Sequence, residues 1–406
     1  MKRIVILGAG FAGVSAYKEL TRDPGAGSDF NLTVVSRDNF FLFTPLLHEV
    51  AAGHIDQFDP VVPARSIFPE GEFVRAEVLS VDLQRKAVLT SAGEMFYDYL
   101  IVSQGSETDF YGVPGAKENA LTLKSLEDAV KIKNRICRRL EDALYGGVPE
   151  GESDFAIVGG GATGVELAAE LAELFNRTIA RYFRGGTNPF RVRLLDGGGE
   201  LLSRFPQFTR SEAMSALLRA GVSVELGARV LEVTSDGVRY VRGKEELLLK
   251  SKNVIWTAGV RPAEIRTSPD IQKIKGRIAV DEFLMTDFPG VFAVGDGAVM
   301  KDDPQSSPFL AQAAEMQAEV AAKNIIALIR GDDLRRFRYH SKGQLVSLGR
   351  FRATGEVSGF KIRGFFGWWV WRTIYLLKMP SLKKKAILAL KWTIDIFFRR
   401  ELLETS

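Results

Sequence analysis

Two glycine patterns are the features of this sequence whose residue types and spacing most directly indicate chemistry. Both read Gly-x-Gly-x-x-Gly, and their glycines are Gly8, Gly10 and Gly13 in the first pattern and Gly159, Gly161 and Gly164 in the second. In such a pattern the first glycine permits a tight turn, the second lets a pyrophosphate approach the backbone, and the third allows a helix to pack closely on a strand. The chemistry indicated is the binding of two dinucleotides, one held tightly and one exchanging.

The segments around the glycines are those that a dinucleotide site needs. The first pattern lies between the apolar run 2–7 and the helix-like run 14–20, and the second lies between 154–158 and 165–174. The order strand, turn, helix brings a phosphate to a helix N-terminus. One such pattern can be an ordinary turn between a strand and a helix. Two patterns 151 positions apart (159 − 8), each in this context, favour nucleotide binding.

A carboxylate after the second strand of a dinucleotide-binding fold accepts hydrogen bonds from the adenosine ribose. Asp196 follows the apolar run 191–195 in the second module, and its charge would repel a 2′-phosphate, so the sequence favours NADH over NADPH there. The spacing is longer than usual because of a predicted insertion at 176–189. In the first module the corresponding strand runs into Ser36 and Arg37, where no acid stands, although Ser36 can still hydrogen-bond a nucleotide.

Three more positions follow apolar runs that read as strands. Gly105 ends one such segment and Ala258-Gly259 ends another, and we expect the chain to leave a nucleotide domain at each. The pair Gly295-Asp296 comes directly after the apolar run 291–294 and before a predicted helix. An acid in that position can simply be the N-cap of the helix, which is the alternative to a role in binding.

The composition excludes several other kinds of chemistry. The single cysteine, Cys137, excludes a dithiol redox pair, and the three histidines lack metal-ligand spacing, so no metal site is expected. The formal net charge of +4 is concentrated in 365–406, where eight Lys/Arg and three Asp/Glu leave the rest of the chain at −1 (4 − 5). This distribution argues against a nucleic-acid surface and favours contact with an anionic membrane surface.

The C-terminal segment is aromatic and amphipathic. Segment 365–377 is rich in aromatic residues, 379–381 predicts a break with Ser381 as the next helix cap, and 381–403 has apolar residues at helical spacing. The segment also holds four tryptophans, Trp368, Trp369, Trp371 and Trp392. This pattern predicts helices that lie in a membrane interface with tryptophan at headgroup level. The alternative is a helix pair packed on the body of the protein or on a twin subunit.

Together these motifs resemble the two-dinucleotide-binding flavoprotein superfamily. More narrowly, segments 41–47, 103–105 and 256–261 and the pair Ala311-Gln312 resemble type II NADH:quinone oxidoreductases, the single-subunit alternative NADH dehydrogenases. The resemblance spans nearly the whole chain. It implies an α/β protein with two Rossmann-like nucleotide-binding domains and a C-terminal amphipathic helical region that anchors the protein to a membrane. Family members dimerise through that region.

The resemblance also implies where each ligand binds. The residues implied for a tightly bound FAD are Gly8, Gly10, Gly13, Ser36, Arg37, Thr44, Pro45, Gly105 and Asp296. Those implied for NADH are Gly159, Gly161, Gly164, Glu166, Asp196, Ala258 and Gly259. Those implied for a quinone are Leu46, Ala311, Gln312 and Met316. Glu166 and Gln312 are the candidate catalytic residues.

The sequence departs from the family at one position of the implied quinone site. The family usually repeats the glutamine of Gln312 four residues later, so that both amides share a helix face. This chain has Met316 at that position and Gln317 next to it, rotated by about 100°. Either the second amide is dispensable or the acceptor site is altered. A well-packed, alanine-rich helix over 311–322 is the alternative to a quinone site.

The function implied is oxidation of NADH with two-electron transfer through FAD to a membrane quinone, without proton pumping. One alternative is a soluble-type NAD(P)H flavoprotein reductase that passes electrons to a protein or another acceptor. Another is a non-catalytic, NADH-sensing flavoprotein. Disulfide reductases and sulfide:quinone reductases share the architecture but need paired cysteines, which Cys137 alone does not supply.

The domain plan that follows is a discontinuous FAD domain over 1–115 and 280–330, an NADH domain over 116–279, and a membrane-association and dimerisation region over 331–406. We expect a homodimeric peripheral membrane protein, with no nucleic-acid partner, at the cytoplasmic face of a bacterial inner membrane.

Overall fold

The computed structural model describes residues 1–147, 152–183, 188–398, 400 and 402–404. In chain order the α-helices are α1 (Phe11–Thr21), α2 (Leu47–Ala51), α3 (Ala64–Ile67), α4 (Ala116–Asn119), α5 (Leu126–Tyr145), α6 (Ala162–Glu173), α7 (Gln207–Arg219), α8 (Ala311–Arg330), α9 (Gly364–Lys378) and α10 (Leu382–Phe397).

The strands, in chain order, are β1 (Lys2–Leu7), β2 (Phe30–Ser36), β3 (Phe40–Leu42), β4 (Val61–Pro63), β5 (Glu72–Arg75), β6 (Val78–Asp82), β7 (Ala87–Thr90), β8 (Gly93–Phe96), β9 (Tyr99–Val102), β10 (Ser106–Thr108), β11 (Leu121–Thr122), β12 (Asp154–Val158), β13 (Arg191–Asp196), β14 (Ser223–Leu226), β15 (Ala228–Thr234), β16 (Gly237–Arg242), β17 (Glu245–Lys250), β18 (Asn253–Trp256), β19 (Val260–Pro262), β20 (Thr267–Ser268), β21 (Lys273–Ile274), β22 (Arg277–Val280), β23 (Val291–Ala293), β24 (Ala298–Met300), β25 (Gly343–Ser347), β26 (Ala353–Val357) and β27 (Phe360–Arg363).

The chain divides into two compact units, neither of which is continuous in sequence. Unit 1 comprises residues 1–42, 61–107 and 260–341, and unit 2 comprises residues 43–60, 108–259 and 342–406. The chain enters unit 2 at residue 108 and returns to unit 1 at residue 260, in both cases before the expected crossings near 115 and 280. The C-terminal segment belongs to unit 2. The assignment of three regions to FAD, NADH and the membrane stays a prediction.

Unit 1 is built around a five-stranded parallel sheet with the strand order β23-β9-β1-β2-β5. Strand β1 lies at its centre, where Ile4, Ile6 and Leu7 are fully buried. The chain builds one side of the sheet with β2 and β5 and the other with β9 and β23, so the winding reverses at β1. In open parallel sheets of this kind, ligands bind at the carboxyl ends of the strands beside that reversal.

Helices α1 and α8 of unit 1 pack against each other. On α8 the small residues Ala318, Ala321 and Ala322 are fully buried, and small side chains let two helix backbones approach closely. The smaller sheets of the unit include those with strand orders β20-β6-β7-β8, β21-β22-β24 and β3-β4.

Unit 2 repeats the parallel arrangement with the strand order β11-β18-β12-β13-β14. Strand β12 is central, and Phe155, Ala156 and Ile157 are fully buried in it. Helix α6 continues into one π-helical turn, Leu174–Thr178, and one 3-10 turn, Ile179–Tyr182. The predicted insertion begins inside this extension, and part of it, 184–187, lies outside the described residues. The α/β class with two Rossmann-like sheets is therefore confirmed.

The C-terminal part of unit 2 consists of the antiparallel sheet β25-β26-β27 followed by α9 and α10. The predicted break between the two helices is confirmed, and the Ser381 hydroxyl caps α10 by accepting a hydrogen bond from the Lys384 N–H at 3.4 Å. Throughout the part of the chain that the structure describes, every helix is too short or too polar to cross a membrane.

The expectation that tryptophan in this segment lies at headgroup level does not fit three of the four tryptophans. Trp368, Trp371 and Trp392 are buried, whereas Trp369 is exposed. The physical reason is mutual packing: the rings of Trp371 and Trp392 lie 6.2 Å apart, and the guanidinium of Arg372 lies 4.2 Å from the Trp368 ring and 4.7 Å from the Trp392 ring. The alternative, helices packed on the body of the protein, thus accounts for these side chains.

Candidate active site

The first glycine pattern forms a tight turn between β1 and α1 in unit 1. Gly8 has a φ of +108°, and a Cβ on Gly13 would lie 1.9 Å from the carbonyl oxygen of Gly8, so neither position tolerates a side chain. Gly10 is the N-cap of α1 and has no side chain to accept a hydrogen bond, and the first turn contains no acid. The turn therefore has no side chain that would compete with an anionic ligand at the start of the helix, as a pyrophosphate site requires.

The other residues implied for FAD in unit 1 lie at the ends of neighbouring strands. Ser36 ends β2, and Gly105, with a φ of +74°, follows β9. The N–H of Gly8 donates to the carbonyl of Val35 at 2.8 Å, which places the glycine turn beside the end of β2. The side chain of Arg37 is largely exposed. The structure therefore brings these residues to the edge of the sheet where the first glycine turn lies.

Asp296 lies in a single 3-10 turn, Gly295–Gly297, just after β23. The predicted helix directly after it is wrong, because the strand β24 follows instead, and Asp296 is not the N-cap of the turn either. The Ser106 hydroxyl donates to the Asp296 carboxylate. The guanidinium of Arg277 donates to the main-chain carbonyl of Asp296 at 3.1 Å, and this hydrogen bond stabilises the main chain of the turn.

Gln317 fixes the same turn from α8. The side chain is buried, and its carbonyl oxygen accepts a hydrogen bond from the Gly295 N–H at 2.7 Å. Its amide also lies 3.4 Å from the Ser307 hydroxyl, to which it donates. Gln317, which stands one residue after the family's usual position for the second glutamine, therefore has a structural contact of its own. The sequence signal was present, since a polar residue on the buried face of an alanine-rich helix requires a partner.

The residues implied for the quinone lie on two elements. Ala311, Gln312 and Met316 are half-buried near the start of α8, and the Gln312 amide donates to the Tyr339 hydroxyl at 3.0 Å. In unit 2, Leu46 is buried in a single 3-10 turn, Thr44–Leu46, in which Thr44 is exposed and Pro45 is half-buried.

The second glycine pattern forms an equivalent turn between β12 and α6 in unit 2. Gly159 has a φ of +118°, and a Cβ on Gly164 would lie 1.9 Å from the carbonyl oxygen of Gly159. Gly161 is the N-cap of α6 without a side-chain cap, and the first turn again contains no acid. Ala258 packs against this turn, because a Cβ on Gly159 would lie 2.6 Å from the Ala258 nitrogen. Gly259 follows with a φ of +74°.

Asp196 ends β13 beside the second glycine turn, as the sequence predicts. One carboxylate oxygen accepts a hydrogen bond from the Gly160 N–H at 2.6 Å, and the other accepts from the Gly198 N–H at 2.8 Å. These bonds fix the carboxylate next to the glycines. Each oxygen keeps a second lone pair with which it can accept a further hydrogen bond.

Glu166 lies in the second turn of α6 and is buried. Its carboxylate accepts a hydrogen bond from the Ser347 N–H at 3.0 Å and lies 3.7 Å from Nδ1 of His48. Burial raises the pKa of Glu166 above its usual value, against the opposing effect of His48 and the Ser347 hydrogen bond. Burial also raises the pKa of Tyr375, to which the nearby Glu166 charge contributes. Glu166 is therefore a carboxyl group whose titration is shifted toward neutral pH.

A cluster of buried ionisable groups surrounds Glu166 and was not predicted from the sequence. The Glu170 carboxylate lies 2.8 Å from the Arg400 guanidinium and 3.5 Å from Nδ1 of His54. Although burial opposes ionisation, Arg400 and His54 hold the pKa of Glu170 below its usual range. The Trp392 indole N–H donates to the Glu49 carboxylate at 2.9 Å. The cluster thus attaches the C-terminal region to α6 and α2.

A signal for this cluster is visible in the sequence of α6. Glu166, Glu170 and Glu173 recur at four- and three-residue spacing, which puts three acids on one face of an alanine-rich helix. Acids on the apolar face of a helix require cationic or hydrogen-bonding partners.

Comparisons with known proteins agree with this arrangement. The model of the pyridine nucleotide-disulphide oxidoreductases matches residues 2–318, and the model of the NDH2 C-terminal domain matches residues 341–401. The type II NADH:quinone oxidoreductase Ndh of Mycobacterium tuberculosis is 30% identical, with 98% of this chain and 89% of that protein covered. The chain belongs to the type II NADH:quinone oxidoreductase family. The resemblance inferred from the motifs is confirmed.

Other members of the family extend the comparison. The type II NADH:quinone oxidoreductase of Haemophilus influenzae is 28% identical, with 94% of each chain covered. The solved structure of NDH2 from Plasmodium falciparum in complex with NADH has the same fold, with a TM-score of 0.90 at 20% identity and 99% of both chains covered.

The contact between Gln317 and Gly295 predicts a change in flavin retention. Gln317→Leu should leave the buried Gly295 N–H without an acceptor, at a cost of about 1–3 kcal/mol, and should loosen the turn that carries Asp296. We expect a lower flavin-to-protein absorbance ratio after gel filtration and a lower unfolding temperature. Met316→Leu, a substitution of similar volume at the adjacent half-buried position, is the control and should change neither. Full flavin content and an unchanged unfolding temperature in Gln317→Leu would show that Gln317 does not stabilise the turn that carries Asp296.

The position of Asp196 predicts the coenzyme preference. Asp196→Asn should remove the charge that repels a 2′-phosphate and weaken acceptance from a ribose hydroxyl, raising kcat/KM for NADPH relative to NADH by about tenfold or more. Initial rates with both coenzymes test this. Asp236→Asn, at an exposed turn of the same unit, removes the same charge and should leave the ratio unchanged. Equal ratios in the two variants would rule out a ribose contact by Asp196.

Proposed function

We propose that this chain oxidises NADH and passes two electrons through FAD to a membrane quinone, without pumping protons. The observation that carries the proposal is the pair of glycine turns, each opening a helix whose first turn has no side-chain cap, with Asp196 beside the second. The family supports the reaction, because the named relatives are NADH:quinone oxidoreductases.

The residues of the first glycine turn fit FAD. The turn at Gly8, Gly10 and Gly13 has no side chain that would compete with a pyrophosphate at the start of α1, and Asp296 offers a carboxylate to the ribityl hydroxyls. Ser36, Arg37, Gly105, Thr44 and Pro45 complete the proposed FAD set. Bound FAD supplies the redox chemistry, which is the uptake of two electrons as a hydride and their release to the quinone.

The proposed roles of the remaining residues follow from their surroundings. Gly161 and Gly164 would hold the NADH pyrophosphate, with Asp196 on the ribose and Ala258 and Gly259 at the adjoining strand end. Reduction of a quinone to a quinol consumes two protons, of which hydride transfer accounts for one. Glu166 can hold a proton because burial raises its pKa. Gln312 would donate a hydrogen bond to the quinone from α8, beside Ala311 and Met316.

The proposal includes peripheral association of α9 and α10 with an anionic membrane surface, at the cytoplasmic face of a bacterial inner membrane, and homodimerisation through the same region. The exposure of several large apolar side chains supports it, namely Phe365, Phe366, Trp369, Leu377, Leu382, Leu390 and Phe397.

Two basic residues of α10 contribute less to a membrane contact than their charge suggests. Lys391 Nζ binds the Asp59 carboxylate at 2.7 Å, and Lys384 Nζ donates to the Phe58 carbonyl at 2.5 Å. These lysines stabilise unit 2. The exposed apolar side chains are therefore the stronger support for membrane association.

A steady-state comparison of acceptors tests the proposed function. We expect the full chain to oxidise NADH rapidly with a quinone carried in lipid vesicles and also with a water-soluble electron acceptor. Leu390→Ser/Phe397→Ser should reduce the rate with vesicle-borne quinone by about tenfold, through lost apolar burial, and preserve the rate with the soluble acceptor. Leu218→Ser/Leu248→Ser, at exposed leucines elsewhere in unit 2, is the matched control.

Each alternative function has its own outcome in this assay. Turnover with a protein or soluble acceptor and none with quinone would favour a soluble-type reductase. NADH binding without turnover to any acceptor would favour a sensor. Removing the whole C-terminal segment is a poorer test, because Trp392 and Arg400 contact the buried acids of unit 2 and their loss would disturb its core.

A further inference from the structure

A cavity of about 370 Å³ opens in unit 2 beside the C-terminal end of α10. Its basic lining comes from three separate parts of the chain: Arg177 and Arg181 from the turns that extend α6, Arg350 from the loop after β25, and Arg400 from beyond α10. Neither the glycine turns nor α8 contributes to it. The activity proposed above does not use these arginines.

The donors of this cavity are only partly used within the protein. Arg350 Nη2 donates to the main-chain carbonyls of Asp395 and Ile396 at 2.8 and 2.6 Å. Both acceptors are neutral, so they do not offset the positive charge of the guanidinium. Arg181 Nε donates to the Arg177 carbonyl at 2.8 Å. Each guanidinium has five N–H donors in a planar fork that matches phosphate oxygens.

Arg400 provides a second observation that indicates a ligand. Its side chain is more than nine-tenths buried, and Nη2 is engaged by Glu170 at 2.8 Å. Its Nη1 is buried and has no hydrogen-bond partner among the described residues. A buried, unpaired guanidinium nitrogen is costly unless an acceptor reaches it.

The charge balance of the lining favours an anion. The carboxylates of the cluster are Glu170, Glu173 and Asp395, against four arginines and His54. The acids are already shared, since Glu170 pairs with Arg400 and Glu173 lies 3.8 Å from both Arg400 and Arg177. An anion at the arginines would therefore meet a net positive lining.

The surface beside the cavity distinguishes a lipid from a free phosphate. Phe398 lines the cavity and is exposed, and exposed apolar side chains continue along α10 at Phe397, Ile394 and Leu390. Residues 390, 394 and 397 are spaced four and three apart and so share one helix face. A free phosphate would gain nothing from this face, whereas acyl chains would cover it.

We propose that this cavity binds the phosphate headgroup of an anionic phospholipid, whose acyl chains lie along the exposed apolar face of α10. The proposal rests on the membrane association included in the proposed function and adds a discrete, one-to-one site to it. Its volume is in the range of pockets that hold small ligands, and it exceeds what a phosphate alone would fill.

The test uses the full flavin-containing chain and a short-chain phosphatidylglycerol that remains monomeric in water, titrated by calorimetry. We expect saturable binding of one lipid per chain. Arg177→Gln/Arg181→Gln, at two exposed arginines, should raise Kd by about tenfold or more. Lys383→Gln/Lys385→Gln removes the same charge from the first turn of α10, outside the cavity, and should raise Kd less than about twofold. Equal losses in the two variants would overturn the site.

Two further arms identify the source of the phosphate and separate this proposal from the proposed function. Inorganic phosphate should compete weakly with the lipid, and competition at a similar concentration would overturn the assignment to a lipid. Flotation with phosphatidylcholine vesicles, with and without phosphatidylglycerol, should show stronger binding to the anionic vesicles. If the protein bound both vesicle types but not the short-chain lipid, the lipid site in the cavity would be ruled out and the proposed membrane association would stand. If the protein bound neither vesicle type, the membrane association would be ruled out as well. Neither result would bear on the proposal that the chain oxidises NADH.

Discussion

The two helices that open at Gly10 and Gly161 impose the constraint on which the structure depends. Each begins without a side chain that could cap it, so the first turn must be capped by a group other than an N-cap side chain, such as a bound anion. The glycines before and after each turn are required by positive φ and by contact with the strand backbone. Two parallel sheets, each reversing its winding at the strand before such a turn, hold the two turns in place. A pair of dinucleotides satisfies this constraint directly.

The C-terminal region depends on a different interaction, the pairing of buried acids on α6 and α2 with a guanidinium and an indole from the end of the chain. Arg400 pairs with Glu170, and the Trp392 indole N–H donates to Glu49. These contacts replace the hydrogen bonds to water that the carboxylates lose on burial. Removing one partner of such a pair leaves an uncompensated buried charge, which costs several kcal/mol. The region is therefore part of unit 2, to which these buried contacts attach it.

The fold could be predicted from the sequence wherever local patterns decide it. The glycine turns, Asp196 at the end of its strand and the Ser381 cap are each fixed by a few adjacent residues, and all were found where expected. Contacts between distant residues could not be predicted in the same way. The burial of Trp371 and the contact of Gln317 with Gly295 depend on which helix faces meet, and a single sequence shows only which residues share a face. The strand after Asp296 was mistaken for a helix because a short buried strand has no periodicity of its own.

We propose that a single chain holds a flavin that NADH reduces and a quinone reoxidises. The most direct measurement is an anaerobic titration of the purified flavoprotein with NADH, followed at the flavin absorption band and continued with a quinone analogue. We expect the flavin absorbance to be lost with one NADH per bound FAD and to return with one equivalent of quinone. A flavin that stays oxidised under excess NADH, or one that NADH bleaches and quinone does not restore, would contradict it.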